Sequence, residues 1–523
     1  MKDAGQSDRR MAAEKRLKVL RGLRRADFKN TEYHAMRKSS MRPIWTALFL
    51  PLLAFALSSC SGVSGGGCVV NCTTGATVSL VLTATPPPAN SQLSIQAFSA
   101  TIVGITLTPS SGGNPVAIPL NSSTYVAEFN RVTSDSTLLA SQVSVPGGNY
   151  SSMAVTFASP RVTFCTQPNP GVPGCANGTL SSVNGAAGSA TISANLPIAS
   201  NQLNGLALNA NLGAAISQNG QSITGIDLTV ANAFSVSTLP SSANDLSNGQ
   251  LSHLDDVMGL VTSVSGSMVT LQTSMRGSIT ATANSSTHYE CPAANSSCVQ
   301  ANQIAVMDGI LNSDGTITLT FFEPITSSSD LIEGVVSSVP NTLTSQFTVV
   351  ATDAVFNSSG SVLQGRINPG DQVVATLSGT VLPFVIIDKG LGQTLPANSF
   401  EGATSVSAIQ PGMTVAFPVS AYTPQSGATP GSASTGTFAL RLTRITTALV
   451  TASLPDFSAN GSEFPPFFGL TSNPLMRTTS GRLSVDGATG LTSIPVGNII
   501  STSALYLGQP ASPLFSAQTV RTH

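Results

Sequence analysis

From Thr77 onward the chain alternates apolar and polar residues with a period of two. Val78, Leu80 and Leu82 alternate with their neighbours over Thr77–Thr83, and Pro86, Pro87 and Pro88 stop the run. Leu93, Ile95 and Ala97 alternate again, as do Ile102, Ile105 and Leu107 about a kink at Gly104. Val143 and Val145 lead to a turn at Pro146–Tyr150, after which Met153, Val155 and Phe157 alternate. Between Ala190 and Ser237 the pattern continues through Ile192, Leu196, Leu206, Leu208, Ile216, Ile223, Ile226, Leu228 and Val230, with a hairpin turn at Gln218–Gln221. No amphipathic helix of ten or more residues stands out in this stretch. Short half-buried strands separated by Gly and Pro predict an all-β fold, a sandwich or a barrel.

Beyond a polar stretch, Leu239–Leu251, the chain repeats itself, and this is its strongest organisational signal. Gly259–Val264 (GLVTSV) recurs as Gly334–Val339 (GVVSSV), and Gly315–Leu319 (GTITL) as Gly436–Leu440 (GTFAL). Pro369–Val373 (PGDQV) resembles Pro411–Val415 (PGMTV). A weaker third copy starts near Ala448, passes through Pro495–Ile499 and closes at Leu514–Val520. A closed barrel of about five strands per copy has no free edges, which suits an exposed exported protein. The second copy is the longest, and its extra length reads as loop.

Composition divides the chain. Residues 1–59 carry 13 Lys+Arg against five Asp+Glu, whereas the remainder carries 10 against 19. Only 9% of the 523 residues are charged, about a third of the usual fraction. The body lacks the basic grooves and aromatic platforms that hold nucleic acid, so no nucleic-acid partner is expected.

Arg37, Lys38 and Arg42 precede a 15-residue apolar run, Pro43–Leu57, which is shorter than the about 20 residues of a membrane span. It ends in Leu57, Ser58, Ser59 and Cys60. This arrangement resembles the signal and lipobox of bacterial lipoproteins. The resemblance implies cleavage before Cys60 and acylation of its thiol, usually of the new amine as well. It places the protein in the cell envelope, with Ser61 pointing to the outer membrane, and makes the membrane a partner through the lipid. Residues 1–35 read as a mis-started or extended basic leader.

Removing Cys60 leaves six cysteines in three close pairs: Cys68 with Cys72, Cys165 with Cys175, and Cys291 with Cys298. Fifteen connectivities exist, and pairing by proximity is the simplest. Export favours disulfides. A competing metal reading, with His288 and Glu290 beside Cys291 and Cys298, matches no standard zinc spacing.

Two further resemblances concern the body. Residues 76–238, carrying Val78–Pro109 and later Val143–Phe157, resemble an uncharacterised domain at the N-terminus of secreted bacterial lipoproteins, which implies a transthyretin- or immunoglobulin-like sandwich. That family has an acidic residue where this chain has Ala84 and Thr85. The repeats resemble an uncharacterised small β-barrel module of exported bacterial proteins. The expected order is therefore leader (1–35), signal (36–59), lipidated cysteine and tether (60–75), β-sandwich (76–238), linker (239–253), barrel repeat (254–327), longer barrel repeat (328–447) and degenerate third repeat (448–523).

Catalytic signatures are sparse. No HExxH, Walker A or dinucleotide fingerprint is present. His253, Asp255 and Asp256 place a base near carboxylates, but at a linker end they read as a solvated charge cluster. Asp308-Gly309 and Asn312–Gly315 evoke a calcium loop without its terminal Glu, and the second reads as a hairpin turn. Asp135, Asp227 and Asp353 have no evident partner. Phe464, Phe467 and Tyr506 are candidate surface aromatics for binding. No catalytic residue, metal or cofactor is expected. The reading is a non-enzymatic lipid-anchored envelope protein for surface display, adhesion, or contact with a glycan or envelope protein. The alternatives are an envelope assembly or transport accessory lipoprotein and, last, a hydrolase with an unrecognised site.

Overall fold

The structure is a computed structural model. It describes residues 75–522 except 88–92, 167–174, 176–177, 240–252, 313–314, 326–328, 339–340, 342, 358–359, 379–384, 387–405, 407–408, 442, 450–466, 471–480, 485–498 and 507–513. The leader, the apolar run, Cys60, Cys68, Cys72, Lys389 and Phe464 lie outside the described residues, as does most of the linker.

The fold is all-β. The first body contains β1 (Gly75–Thr85), β2 (Leu93–Pro109), β3 (Val116–Ile118), β4 (Tyr125–Glu128), β5 (Thr137–Pro146), β6 (Gly148–Thr166), β7 (Thr179–Asn184), β8 (Gly188–Ile198), β9 (Leu203–Asn211), β10 (Ile216–Asn219), β11 (Ser222–Ile226) and β12 (Phe234–Thr238). One sheet runs β12-β9-β1-β5 and the other β3-β2-β6-β7, with β4 on β2 and β8 on β6. A shared core holds Val78, Leu80 and Leu82 from one sheet against Phe98, Ile102, Val155 and Phe157 from the other, so this body is a β-sandwich. The β10–β11 hairpin turns at Gly220, whose φ of 59° favours glycine. Single helical turns, α1 (Arg131–Ser134) and α2 (Leu212–Ala215), interrupt the strands.

The next five strands, β13 (His253–Ser265), β14 (Met268–Thr273), β15 (Gly277–Tyr289), β16 (Ile304–Leu311) and β17 (Ile317–Ile325), close a barrel in the order β13-β14-β15-β17-β16. β15 and β17 pair in parallel, and the other neighbours are antiparallel. This is the connectivity of the oligonucleotide/oligosaccharide-type barrel.

The following body has β18 (Asp330–Val336), β19 (Gln346–Val355), β20 (Gln372–Leu377), β21 (Val385–Ile386), β22 (Thr414–Val419), β23 (Ala421–Thr423), β24 (Gly431–Thr435) and β25 (Ala439–Arg441) in one eight-stranded path. It repeats the barrel's pairing with its last strand split in two. β24 pairs in parallel with β20, and β25 pairs antiparallel with β22. β18 lies between β19 and β22, as β13 lies between β14 and β16. The last body, β26 (Thr443–Leu449), β27 (Phe467–Leu470), β28 (Gly481–Ser484), β29 (Ile499–Tyr506) and β30 (Leu514–Thr522), orders its described strands β26-β29-β30-β28-β27, again with one parallel pair, β28–β30. One five-strand plan thus occurs three times.

The repeated glycines show why the plan is shared. A Cβ on Gly259 would stand 2.6 Å from the Gln272 carbonyl oxygen on β14, and one on Gly334 would stand 2.5 Å from that of Val350 on β19. Both strands cross their neighbour too closely for a side chain.

The alternation in β1 predicts one buried face, yet nearly the whole strand is buried. Val81 and Leu138, on the outer side of the sandwich sheet, belong to the barrel core with Val261, Leu271 and Phe322. The barrel therefore covers the face that the sequence pattern leaves to solvent. Ile500, Ala504, Leu505 and Tyr506 from β29 join the core of the β18–β25 body, with Phe347, Phe417 and Phe438.

Candidate functional site

The body from Cys60 onward holds 29 charged residues, about one in sixteen. Among the described residues, eleven of them are buried. Nine of these gather around α1, where the sandwich meets the three repeats: Glu128, Arg131, Asp135, Asp256, Arg276, Asp308, Glu333, Asp353 and Arg441.

Arg131 opens α1 and reaches into two other bodies. Its Nη1 lies 3.4 Å from Glu333 Oε1 on β18 and 3.3 Å from Asp353 Oδ2 on β19. Its Nη2 donates to the main-chain carbonyl of Asp256 on β13. α1 also packs against β26 and β29 of the last repeat. Arg276, from the β14–β15 turn, places Nη2 2.7 Å from Asp353 Oδ2. Arg441, at the end of β25, pairs with Asp256 and sets its Nε 3.5 Å from Glu333 Oε2. Every guanidinium thus pairs with a carboxylate supplied by another body, and Arg441 pairs within its own body as well.

Local backbone structure aims these groups. Asp256 adopts φ 59° where the β13–β16 register slips between Leu254 and Val257. Aspartate tolerates this left-handed conformation better than most residues. The bulge turns its carbonyl to Arg131 and its carboxylate to Arg441, while its N–H donates to Asp308 Oδ1 at 2.6 Å. Glu333 faces Asp353 across the β18–β19 ladder, again at a register shift. Glu128 holds the first turn of α1 by accepting from the N–H groups of Phe98 at 2.9 Å and Arg131 at 2.8 Å.

Burial sets the electrostatics. Desolvation pushes the Glu128 carboxyl up to about 7, against the pull of its backbone donors. Burial likewise raises the Tyr125 hydroxyl to about 12, with Arg276 opposing. For Arg131, burial works against the charge, but Glu333, Asp353 and the neighbouring acids outweigh it and hold the guanidinium above its ordinary value.

Backbone contacts tie the same bodies together. Val126 N–H donates to the Met275 carbonyl at 2.7 Å, and Cys175 N–H to that of Ser337 at 2.6 Å. Phe356 N–H donates to Ser274 Oγ at 2.7 Å. Thr163 Oγ1 donates to the Gly370 carbonyl at 2.9 Å, beside the Arg161–Asp371 ion pair. The PGDQV segment is thus a docking turn for the sandwich. Met258, Ile304 and Val306 of the barrel pack against Leu331 and Val355 in a small apolar cluster of their own.

The arrangement corrects several expectations. Asp256 is fully buried and ion-paired rather than part of a solvated cluster. Asp353 pairs with two arginines, and Asp135 sits beside Arg131. Asp227 accepts from the N–H and hydroxyl of Thr229. Asp308 lies within β16, not in a loop. Tyr506 is wholly buried, with its hydroxyl raised by desolvation, so it offers no surface aromatic. Phe467 lies on β27, paired with β28. Cys165–Cys175 and Cys291–Cys298 are both disulfide-bonded. His288 and Glu290 contact each other at 3.1 Å in the open, with the imidazole stacked on Phe321. Among the described residues no cluster of His, Cys, Asp and Glu is arranged to hold a metal, and no helix is long and apolar enough to cross a membrane.

Sequence reasoning passed over Arg131, Glu333 and Arg441, and weighed Arg276 only as an insufficient nucleic-acid contact. A signal existed for two of them. Glu333 interrupts the apolar run DLIEGVV, and Arg441 interrupts FALRL, each a lone charge in a strand that otherwise reads as buried.

No family model matches the chain, and no curated protein matches it. Among solved structures it is similar to one described as "drosophila Unr CSD456", at 8% identity over 52% of this chain and 98% of that chain, with a TM-score of 0.12. A likeness that slight carries neither fold nor function.

Proposed function

We propose that the chain is an exported, lipid-anchored, non-enzymatic protein of the bacterial cell envelope, whose β bodies are held rigidly to present a neutral surface for glycan or protein contact. The observation that carries the reading is Cys60 in its lipobox, behind a basic flank and a 15-residue apolar run. The two local disulfides support an oxidising, exported setting. The contact role is supported by the outer face of β14 and β15, where Thr270, Gln272, Ser278, Thr280 and Thr282 present hydroxyls and an amide without charge. Thr270 and Thr280 bond across the ladder at 2.9 Å, and Ser278 bonds Gln272 at 2.5 Å.

The test is Cys60→Ser, followed by metabolic labelling with an alkyne fatty acid and detergent-phase partitioning. The wild-type chain is expected to take the label and enter the detergent phase; the variant is expected to do neither. A variant that remains firmly membrane-bound refutes the anchor. A glycan array probed with the chain then tests the contact role.

A further inference from the structure

We propose that the buried ionic junction around α1 is an acid-operated latch: protonating its carboxylates undocks the sandwich from the repeats while each body keeps its own fold.

The inference follows from where charge and apolar surface lie. The sandwich, the barrel and the β18–β25 body have distinct apolar cores, of which the barrel's also takes in Val81 and Leu138 from the outer face of the sandwich. Those cores are built from apolar side chains. The charges lie between the bodies, and the cationic side of every pair is a guanidinium, which keeps its proton throughout the working range of proteins. Lowering the pH therefore removes the carboxylate charges alone and leaves three buried cations among Arg131, Arg276 and Arg441. Breaking a buried pair from one side is far more costly than removing both partners. Separation of the bodies hydrates the arginines without exposing a whole core.

Among the described residues, the groups facing the latch come from several elements around it. α1 brings Arg131, with Asp135 at its end; β4 brings Glu128, with Tyr125 beside it; β13 brings Asp256 and β16 brings Asp308. The β14–β15 turn brings Arg276, β18 Glu333, β19 Asp353 and β25 Arg441. On β26 and β29 the buried polar residues described are Thr443, Ser501, Thr502 and Ser503, all uncharged. Tyr125 stays neutral below strongly alkaline pH. Glu128 opposes the trend, because burial already favours its proton near neutrality; the acid response rests on the bonded carboxylates Asp256, Asp308 and Glu333.

Two amides report directly on docking: Val126, bonded to Met275 of the barrel, and Cys175, bonded to Ser337. Hydrogen exchange of the full chain, read by mass spectrometry with fragmentation and corrected for intrinsic rates, is followed from neutral pH through about pH 5 to 3, the carboxylate range. The expected result is at least a tenfold loss of protection at both amides, at a pH where the β6 and β14 ladders keep theirs. Simultaneous loss at docking and ladder amides overturns the proposal, as does docking protection that persists until the ladders fail. Asp353→Asn, which leaves two guanidiniums facing a neutral amide, is expected to move the opening to higher pH; an unchanged midpoint overturns it. A junction without its ion pairs (Arg131→Met, Arg276→Met, Arg441→Met, Asp256→Asn, Glu333→Gln, Asp353→Asn) is expected to stay docked through acid, and opening at the wild-type pH refutes the latch.

Discussion

Arg441→Met isolates the energetics of the junction most cleanly. The guanidinium is wholly buried, paired with Asp256 and within 3.5 Å of Glu333. Methionine fills similar space without charge, so the main change is electrostatic. Glu333 keeps Arg131 at 3.4 Å, but Asp256 loses the cation at its carboxylate. Removing one partner of a buried pair costs about 3–5 kcal/mol. Protonation of the stranded aspartate limits the loss, at about 1.4 kcal/mol for each pH unit above its ordinary value near 3.9. At pH 8 that ceiling is about 5–6 kcal/mol, so the full loss is felt. At pH 5 the ceiling is about 1.5 kcal/mol.

The variant is therefore expected to lose about 3–5 kcal/mol at pH 8 and about 1.5 kcal/mol at pH 5. The sign agrees with linkage: an aspartate that lacks its cation has a raised folded value, and its stability falls as pH rises. Urea denaturation followed by far-ultraviolet circular dichroism measures both values, taken on the transition that the variant shifts. Adding Asp256→Asn removes the stranded charge and is expected to restore most of the loss at pH 8. A deficit equal at the two pH values, or below about 1 kcal/mol at pH 8, refutes the assignment of Arg441 to a buried, charge-compensated site.

Two further outcomes test other parts of the structure. Gly334→Ala and Gly259→Ala push a methyl group against a neighbouring carbonyl and are each expected to cost about 1–3 kcal/mol, whereas Gly104→Ala, with nothing within 4 Å of its Cβ, is expected to change stability by less than about 0.5 kcal/mol; equal losses in thermal denaturation would remove the shared strand crossing as the reason for the repeated glycines. Glu128 sits at about 7 in the fold against 4.5 in the open chain, so its contribution is fully present below pH 4.5 and about 3 kcal/mol of it is lost as pH rises to 7 and beyond. Glu128→Gln has no proton to release, and the gap between wild-type and variant urea midpoints is expected to change across that window; parallel profiles would exclude Glu128 as its source.

The strands and the repeat were legible because both depend on local rules. Alternation marks a half-buried strand, and Gly259 and Gly334 mark a crossing that only glycine permits. The two disulfides follow from pairs close in the chain. What was not legible came from contacts between bodies. Ser79 and Thr83 read as a solvent face, yet both are buried, because the barrel covers the sheet that carries them. Tyr506 read as surface because periodicity in its own strand cannot reveal that β29 lies against the core of the preceding repeat. Asp353 lacked a partner on paper because its arginines stand 222 and 77 positions away.

Three copies of one five-strand plan in a single chain create a problem of assembly, since similar surfaces can dock in the wrong register or on the wrong neighbour. The junction meets it by making equivalent positions unlike. Met258 precedes Gly259 in the first copy and lies in the small apolar cluster against Leu331 and Val355. Glu333 precedes Gly334 in the second copy, and there the same position carries a charge that Arg131 and Arg441 bind. Were the copies exchanged, a methionine would face two guanidiniums and a glutamate would enter an apolar contact, each leaving a buried charge without its partner. A buried ion pair adds little net stability over a well-packed apolar contact, but it rejects wrong arrangements strongly. That asymmetry explains why a body with about one charge in sixteen residues keeps nine of them out of water at one place: there they select a single arrangement of otherwise similar bodies.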